Sequence, residues 1–140
     1  MSAGEPLRIE PIGTVASPLA DPAEAPKQGD EGAPDASIVL DPRVVEGLRG
    51  VEPGQDLIVL TWLDRARRDI LSVHPRGDAS RPRQGVFATR SPDRPNPIGL
   101  HRVELLSIDG ARMRVRNLEA VDGTPVLDLK PVLEAAVAER

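Results

Sequence analysis

The residues with the clearest chemical setting lie in Arg90-Ser91-Pro92-Asp93-Arg94-Pro95-Asn96-Pro97. Three prolines within six residues fix three φ angles and remove three N–H donors. Each also pushes its predecessor toward extended geometry. Helix is excluded, and so is a central strand. What remains is a stiff extended loop from which Arg90, Arg94 and Asn96 project. Such a loop loses little entropy when a ligand docks on it. The other reading is a Pro-rich connector between two strands. General-base chemistry has two candidates, Asp64 and His74, and neither is assigned a catalytic role. A histidine before proline at a strand end, as in His74-Pro75, is as well explained by a structural or solvated position. With His101 the only other histidine and no cysteine, no metal site is expected.

The elements around this loop read mainly as strands. Gly85-Val86-Phe87-Ala88-Thr89 precedes it as a short apolar strand, and Ile98 to Ile108 follows it as a long one. Arg8 to Ser17 reads as a first strand, its start weakened by Pro11. Leu19 to Ser37 is a polar loop and Ser37 to Leu40 a short strand. Asp41 as N-cap, Pro42 at the first helical position and Gly50 past the end predict one short helix, a plug on an open barrel end. Asp56 to Leu63 reads as a buried strand with Trp62 in the core, and Ile70 to Val73 as another strand. Asp109-Gly110 is a hairpin signal. Arg112 to Leu118 then alternates, with Met113 and Val115 inward and three arginines outward. That arginine stripe serves solubility or receives phosphates, which Arg binds bidentately. Val126 to Pro131 is the last strand, with Asp128 and Lys130 facing away from Leu127 and Leu129. Short strands, hairpin turns and one short helix give a mainly β fold, a single small closed or nearly closed β-barrel.

The chain of 140 residues suits one domain, 1–140, with its core at about 8–132. Without cysteine there is no disulfide framework or thiolate site. No apolar run approaches a membrane span, and Met1 to Arg8 lacks a signal-peptide core, so a soluble cytoplasmic protein without membrane partners is expected. Net charge is −4, which argues against nucleic acid. The distribution argues the other way. Residues 65–116 hold 12 arginines against five acids, a balance of +7. Such asymmetry marks an anion-binding face, unless those arginines pair with acids of the remainder. Phe87 and Trp62 are the only aromatics, which weakens a reading through base-stacking platforms.

Two segments carry a family resemblance. Gly85-Val86-Phe87-Ala88-Thr89-Arg90-Ser91-Pro92 with Arg94-Pro95-Asn96-Pro97-Ile98-Gly99, and Asp122-Gly123-Thr124-Pro125-Val126-Leu127-Asp128-Leu129-Lys130-Pro131, resemble the TsaA-like family. The best-known activity in that family is methylation of N6 of threonylcarbamoyladenosine at position 37 of tRNA, beside the anticodon. The resemblance covers roughly residues 8–132. It implies a single β-barrel, S-adenosylmethionine as cofactor, a homodimer with the cofactor pocket near the subunit interface, and the short form without an extra C-terminal domain. By similarity, cofactor contacts fall to Pro26, Lys27, Gln28, Leu63, Asp64, Arg90, Leu100, Asp128, Leu129, Lys130 and Pro131. Arg90 pairs with the methionine carboxylate or a substrate carboxylate, and Arg94 and Asn96 are assigned to substrate. Asp64 stands where the family carries a histidine, and a carboxylate cannot act as a neutral donor as imidazole does. A carboxylate such as Asp128 suits ribose hydroxyls or an adenine amino group, the alternative being an ion pair with an arginine. The acceptor implied is tRNA, with a small-molecule acceptor or a non-catalytic cofactor-binding module as alternatives.

Overall fold

The computed structural model describes residues 4–19 and 35–133. Six strands close into a ring: β1 (Gly13–Ala16), β2 (Ala36–Leu40), β3 (Asp56–Trp62), β6 (Ile98–Asp109), β7 (Arg112–Arg116) and β8 (Pro125–Pro131). Their order around the barrel is β1-β2-β7-β6-β3-β8, and every pairing is antiparallel. The pairing of β1 with β8 closes the ring, which therefore has no open edge. A separate pair, β4 (Ser72–Val73) with β5 (Gln84–Gly85), lies within the long β3–β6 connection.

Alternation builds the core. On β3, Leu57, Val59 and Thr61 point inward, and on β7 Met113 and Val115 do so between three exposed arginines. They meet Val15, Ile38, Leu40, Val103, Leu105, Leu118 and Val126 in one buried cluster. Each such side chain contributes about 1.5–3 kcal/mol on burial. Two irregularities bend the wall. β6 pairs Leu105 with Val115 but Ser107 with Arg114, which lets its far half turn from β3 to β7. β8 pairs Asp128 with Leu60 but Val126 with Thr61, so Leu127 is the extra residue of a bulge. Val126 and Leu129 therefore reach the core, and Leu127 does not share the alternation expected of it.

The predicted cap appears as a 3₁₀ segment, Pro42–Leu48, rather than an α-helix. The Asp41 carboxylate accepts the Arg43 N–H at 3.0 Å and Gly50 takes φ +90°. Val44, Val45 and Leu48 pack on the core from that barrel end. At the same end Gly110 turns β6 into β7 with φ +60°.

Four sequence expectations are corrected. The first strand is only Gly13–Ala16; Leu7 and Ile9 are exposed. Ile70 and Leu71 stay outside β4, and Leu71 is exposed. Trp62 is half-buried on the outer wall, outside the core cluster, with the Arg68 guanidinium 5.2 Å from its ring centre. Gly85 to Thr89 is not a strand. After Gly85 the chain turns through a 3₁₀ segment, Val86–Ala88, because the Val86 carbonyl accepts the Thr89 N–H at 3.0 Å instead of a neighbouring strand.

Candidate functional site

Antiparallel order sorts the connections by barrel end. β1, β3 and β7 end at one rim, where β2, β6 and β8 begin. The β1–β2, β3–β6 and β7–β8 connections leave from this rim, opposite the 3₁₀ cap and the Gly110 turn. The predicted loop residues are on these connections: Leu63, Asp64, Arg90, Arg94 and Asn96 between β3 and β6, and Pro26, Lys27 and Gln28 in sequence between β1 and β2. Those last three lie outside the described residues.

The two ends of the β3–β6 connection are laced together. The Leu63 N–H donates to the Pro97 carbonyl at 2.8 Å, and the Arg94 N–H to the Arg67 carbonyl at 3.0 Å. The Arg67 N–H donates to Asp93 Oδ1 at 2.9 Å. Arg68 donates to the Pro95 carbonyl and to Asn96 Oδ1 at 2.7 and 2.9 Å. Arg68 thereby joins the Trp62 face to the Pro-rich loop. This lacing sets the segment carrying Asp64 beside the segment carrying Asn96.

The two arginines of the loop differ sharply. Arg94 turns back into its own loop, with Nε on the Ser91 carbonyl at 2.8 Å and Nη2 on the carbonyls of Val86 and Thr89, each at 2.6 Å. Three of its N–H donors are thus spent on holding the backbone, which proline has deprived of N–H partners. Arg90 is exposed and has no hydrogen-bond or ion-pair partner among the described residues. Its charge is available to a ligand anion.

The remaining predicted contacts form a patch on the outer wall. Leu60 of β3 faces Leu100 on β6 and Asp128 on β8, so Leu100, Leu60 and Asp128 make one row across three strands. The next row on that face is Arg102, Ile58 and Lys130. Leu100 and Asp128 are exposed. Asp128 pairs with Lys130 at 3.6 Å rather than with an arginine, and both side chains are about half exposed. Such a surface pair is worth under about 1 kcal/mol and yields easily to a ligand. Leu129 points the other way, onto the core, and Pro131 lies opposite Leu57 at the far end of β8.

Sequence reasoning missed one group. His101 is buried, with Nε2 2.7 Å from Thr61 Oγ1 and Nδ1 2.6 Å from Glu119 Oε1. The chain Thr61–His101–Glu119 follows the order of a nucleophile, its base and an orienting acid. Thr61 is sealed from solvent, so the network joins elements and attacks nothing. A Cβ on Gly99 would collide with Thr61 Oγ1 and His101 Nε2, so glycine leaves room for the pair. The signal was available in the strand pattern, since His101 falls in phase with the inward Val103 and Leu105.

His74 lies apart from these groups. Its Nδ1 is 2.8 Å from the Arg81 carbonyl, a tie that closes the loop between β4 and β5. On the same connection the Arg67 guanidinium holds the Asp69 carboxyl below the usual carboxylate range by hydrogen bonding. Ser80 does the same for Asp78 through its hydroxyl and its N–H. Among the described residues no group of His, Asp and Glu could hold a metal ion, and no helix is long and apolar enough to cross a membrane. Two concavities open to solvent lie on the β1–β2 side rather than at the patch. One of them, between Ser17, Asp35, Arg112 and Arg114, contains the Arg114–Asp35 ion pair at 3.2 Å. The wall patch carries Leu100, Asp128 and Lys130, contacts assigned by the resemblance, and is the better candidate.

Residues 14–136 match the family described as the tRNA-methyltransferase O N-terminal domain, TrmO_N. The chain belongs to this family. Among curated relatives, a "Probable S-adenosyl-L-methionine-binding protein" of Methanothermobacter thermautotrophicus is 44% identical over 128 residues, covering 91% of each chain. Another of that name, from Archaeoglobus fulgidus, is 46% identical over 125 residues, which are 89% of this chain and 34% of the relative. A crystal structure of TrmO from Pseudomonas aeruginosa superposes with a TM-score of 0.76 at 30% identity, over 96% of this chain and 60% of that one. The chain therefore spans about a third of the Archaeoglobus relative and three fifths of the solved TrmO chain. The TrmO_N match runs from β1 past the end of β8 and so spans the barrel.

Proposed function

We propose that this TrmO_N chain binds S-adenosylmethionine at the rim and adjoining wall and transfers its methyl group to N6 of threonylcarbamoyladenosine at position 37 of tRNA. The observation that carries this reading is the row Leu100–Leu60–Asp128 below the rim from which the connection containing Asp64 and Arg90 leaves. The residues present fit the ligand. Leu60 and Leu100 offer apolar cover to an adenine ring, and the accessible Asp128 carboxylate offers acceptors to ribose hydroxyls. Arg90 offers an exposed guanidinium to a carboxylate, and Asp64 a carboxylate to a positive centre. When bound, the cofactor supplies a methyl already activated on a sulfonium. The chain's part is positioning: a proline-stiffened loop clamped by Arg94 holds Arg90 and Asn96 with little entropy left to lose.

A homodimer with the pocket near its interface is part of this reading. The exposed Ile98 on the same wall, two residues from Leu100 of the patch, supports it as apolar surface. A cytoplasmic location accompanies a tRNA acceptor. The test is turnover of labelled methyl from S-adenosylmethionine onto bulk tRNA lacking the N6 methyl. Incorporation at the threonylcarbamoylated nucleotide supports the reading, and cofactor binding without transfer to any tRNA overturns it.

A small-molecule acceptor is the second reading, favoured by the net charge of −4. Salt separates the two, because contact with several phosphates weakens steeply as salt rises.

A further inference from the structure

Phe87, the only phenylalanine, is 81% exposed, and Leu71 beside it is 66% exposed. They are neighbours through the Val86 N–H, which donates to the Leu71 carbonyl at 2.9 Å. The backbone beneath them is rigid. Val86 is fully buried, the Val86 carbonyl accepts from both the Thr89 N–H and Arg94 Nη2, and the Thr89 carbonyl accepts from Arg94 as well. An aromatic ring is thus presented to solvent on a clamped turn, where none of its own burial stabilises the fold.

The surroundings are basic. Residues 64–97 hold eight arginines against four aspartates. Arg83 sits on the β4 side of this turn, with Nε and Nη2 on the Ser72 hydroxyl and Nη2 on the Ser72 carbonyl at 2.7 Å. Its partners among the described residues are neutral, so its charge is held in place without an acidic partner among them. Arg81, two residues earlier, has no side-chain partner among the described residues. Of the four aspartates, Asp69 is paired with Arg67, while Asp78 keeps its charge in hydrogen bonds from the Ser80 hydroxyl and N–H.

We propose that Phe87, flanked by Leu71, is a stacking platform for an unpaired base of an RNA loop, with Arg83 and Arg81 receiving the adjoining phosphates. A π-face with fixed guanidinium groups beside it is what single-stranded nucleic acid requires, since every base stacks and every phosphate is anionic. A second copy of the chain suits this surface less. Two apolar side chains fall far short of the ~800 Å² per partner of a standard interface, and like-charged arginines would face each other. The inference rests on the tRNA reading and deepens it.

The experiment is fluorescence anisotropy with the full chain, a labelled RNA stem–loop of the anticodon-arm type, and the same strand annealed into a continuous duplex. Phe87→Ala is expected to weaken stem–loop binding by about 10- to 100-fold and leave duplex binding unchanged. Phe87→Trp is expected to retain it, and Arg83→Gln to lower the salt slope by about one. Stem–loop binding by Phe87→Ala equal to wild type, while labelled-methyl turnover on tRNA persists, overturns the platform and leaves the tRNA reading standing. No binding of wild type to either RNA, with no turnover, removes both. Equal loss of both RNAs together with a dimer-to-monomer shift in sedimentation assigns the face to a second copy and also overturns the platform.

Discussion

Glu119 Oε1 lies 2.6 Å from Nδ1 of His101, inside the barrel wall. The contact ties the β7–β8 connection to β6, and the Thr61 hydroxyl extends it to β3 at 2.7 Å. Those three elements lead to Asp128, Leu100 and Leu63. A buried polar chain therefore stands behind the proposed site, with every buried side-chain polar atom among the described residues satisfied.

His101→Leu leaves a carboxylate and a buried hydroxyl without their partner. Stability is expected to fall by about 3 kcal/mol, read from urea unfolding midpoints. The triple change Thr61→Val, His101→Leu and Glu119→Leu removes the stranded groups together and recovers most of that loss. A single variant as stable as wild type contradicts the role given to the network.

Arg94→Ala removes three donors from the carbonyls of Val86, Thr89 and Ser91. Each bond is worth about 1 kcal/mol net, and the loop has few other donors. Amide exchange at Thr89 is expected to accelerate at least tenfold. Arg94→Lys does not restore it, because one ammonium cannot span three carbonyls. Unchanged exchange in both variants argues against the clamp.

Arg90→Ala is expected to leave the melting temperature within about 1 °C, because the side chain is exposed and has no partner among the described residues. Affinity for S-adenosylmethionine is expected to fall about tenfold or more, as a charge-assisted bond to a carboxylate is lost. Unaltered affinity removes Arg90 from the site.

Asp69 titrates below the usual carboxylate range through its hydrogen bond to Arg67, and Asp78 through Ser80. Their folded-state values are depressed, so their contributions are present above the ordinary aspartate range and lost as pH falls through the lowered values. Carboxyl NMR titration is expected to show both midpoints below that range. Arg67→Ala should return Asp69 toward it and leave Asp78 in place. Movement of neither or both contradicts the pairing.

Much of the architecture was legible because period-2 patterns survive in β3, β6 and β7, and because Asp41-Pro42 and Asp109-Gly110 encode their turns locally. The Gly85–Thr89 turn was not legible. Its apolar residues resemble a strand, and what turns them is Arg94, five to nine residues on, whose guanidinium captures local carbonyls. Trp62 reads as core by type, yet strand phase puts it outward beneath Arg68. The row joining Leu100, Leu60 and Asp128 depends on register across three strands, and the bulge at Leu127 sets that register. Neither hydropathy nor spacing contains it.

The most direct measurement is a calorimetric titration of the purified chain with S-adenosylmethionine, repeated with Asp128→Ala. Saturable binding in the micromolar range, weakened about tenfold or more by the substitution, is the predicted result. Absence of heat at millimolar cofactor, or binding indifferent to Asp128, would contradict the assignment of the rim and wall patch as the cofactor site.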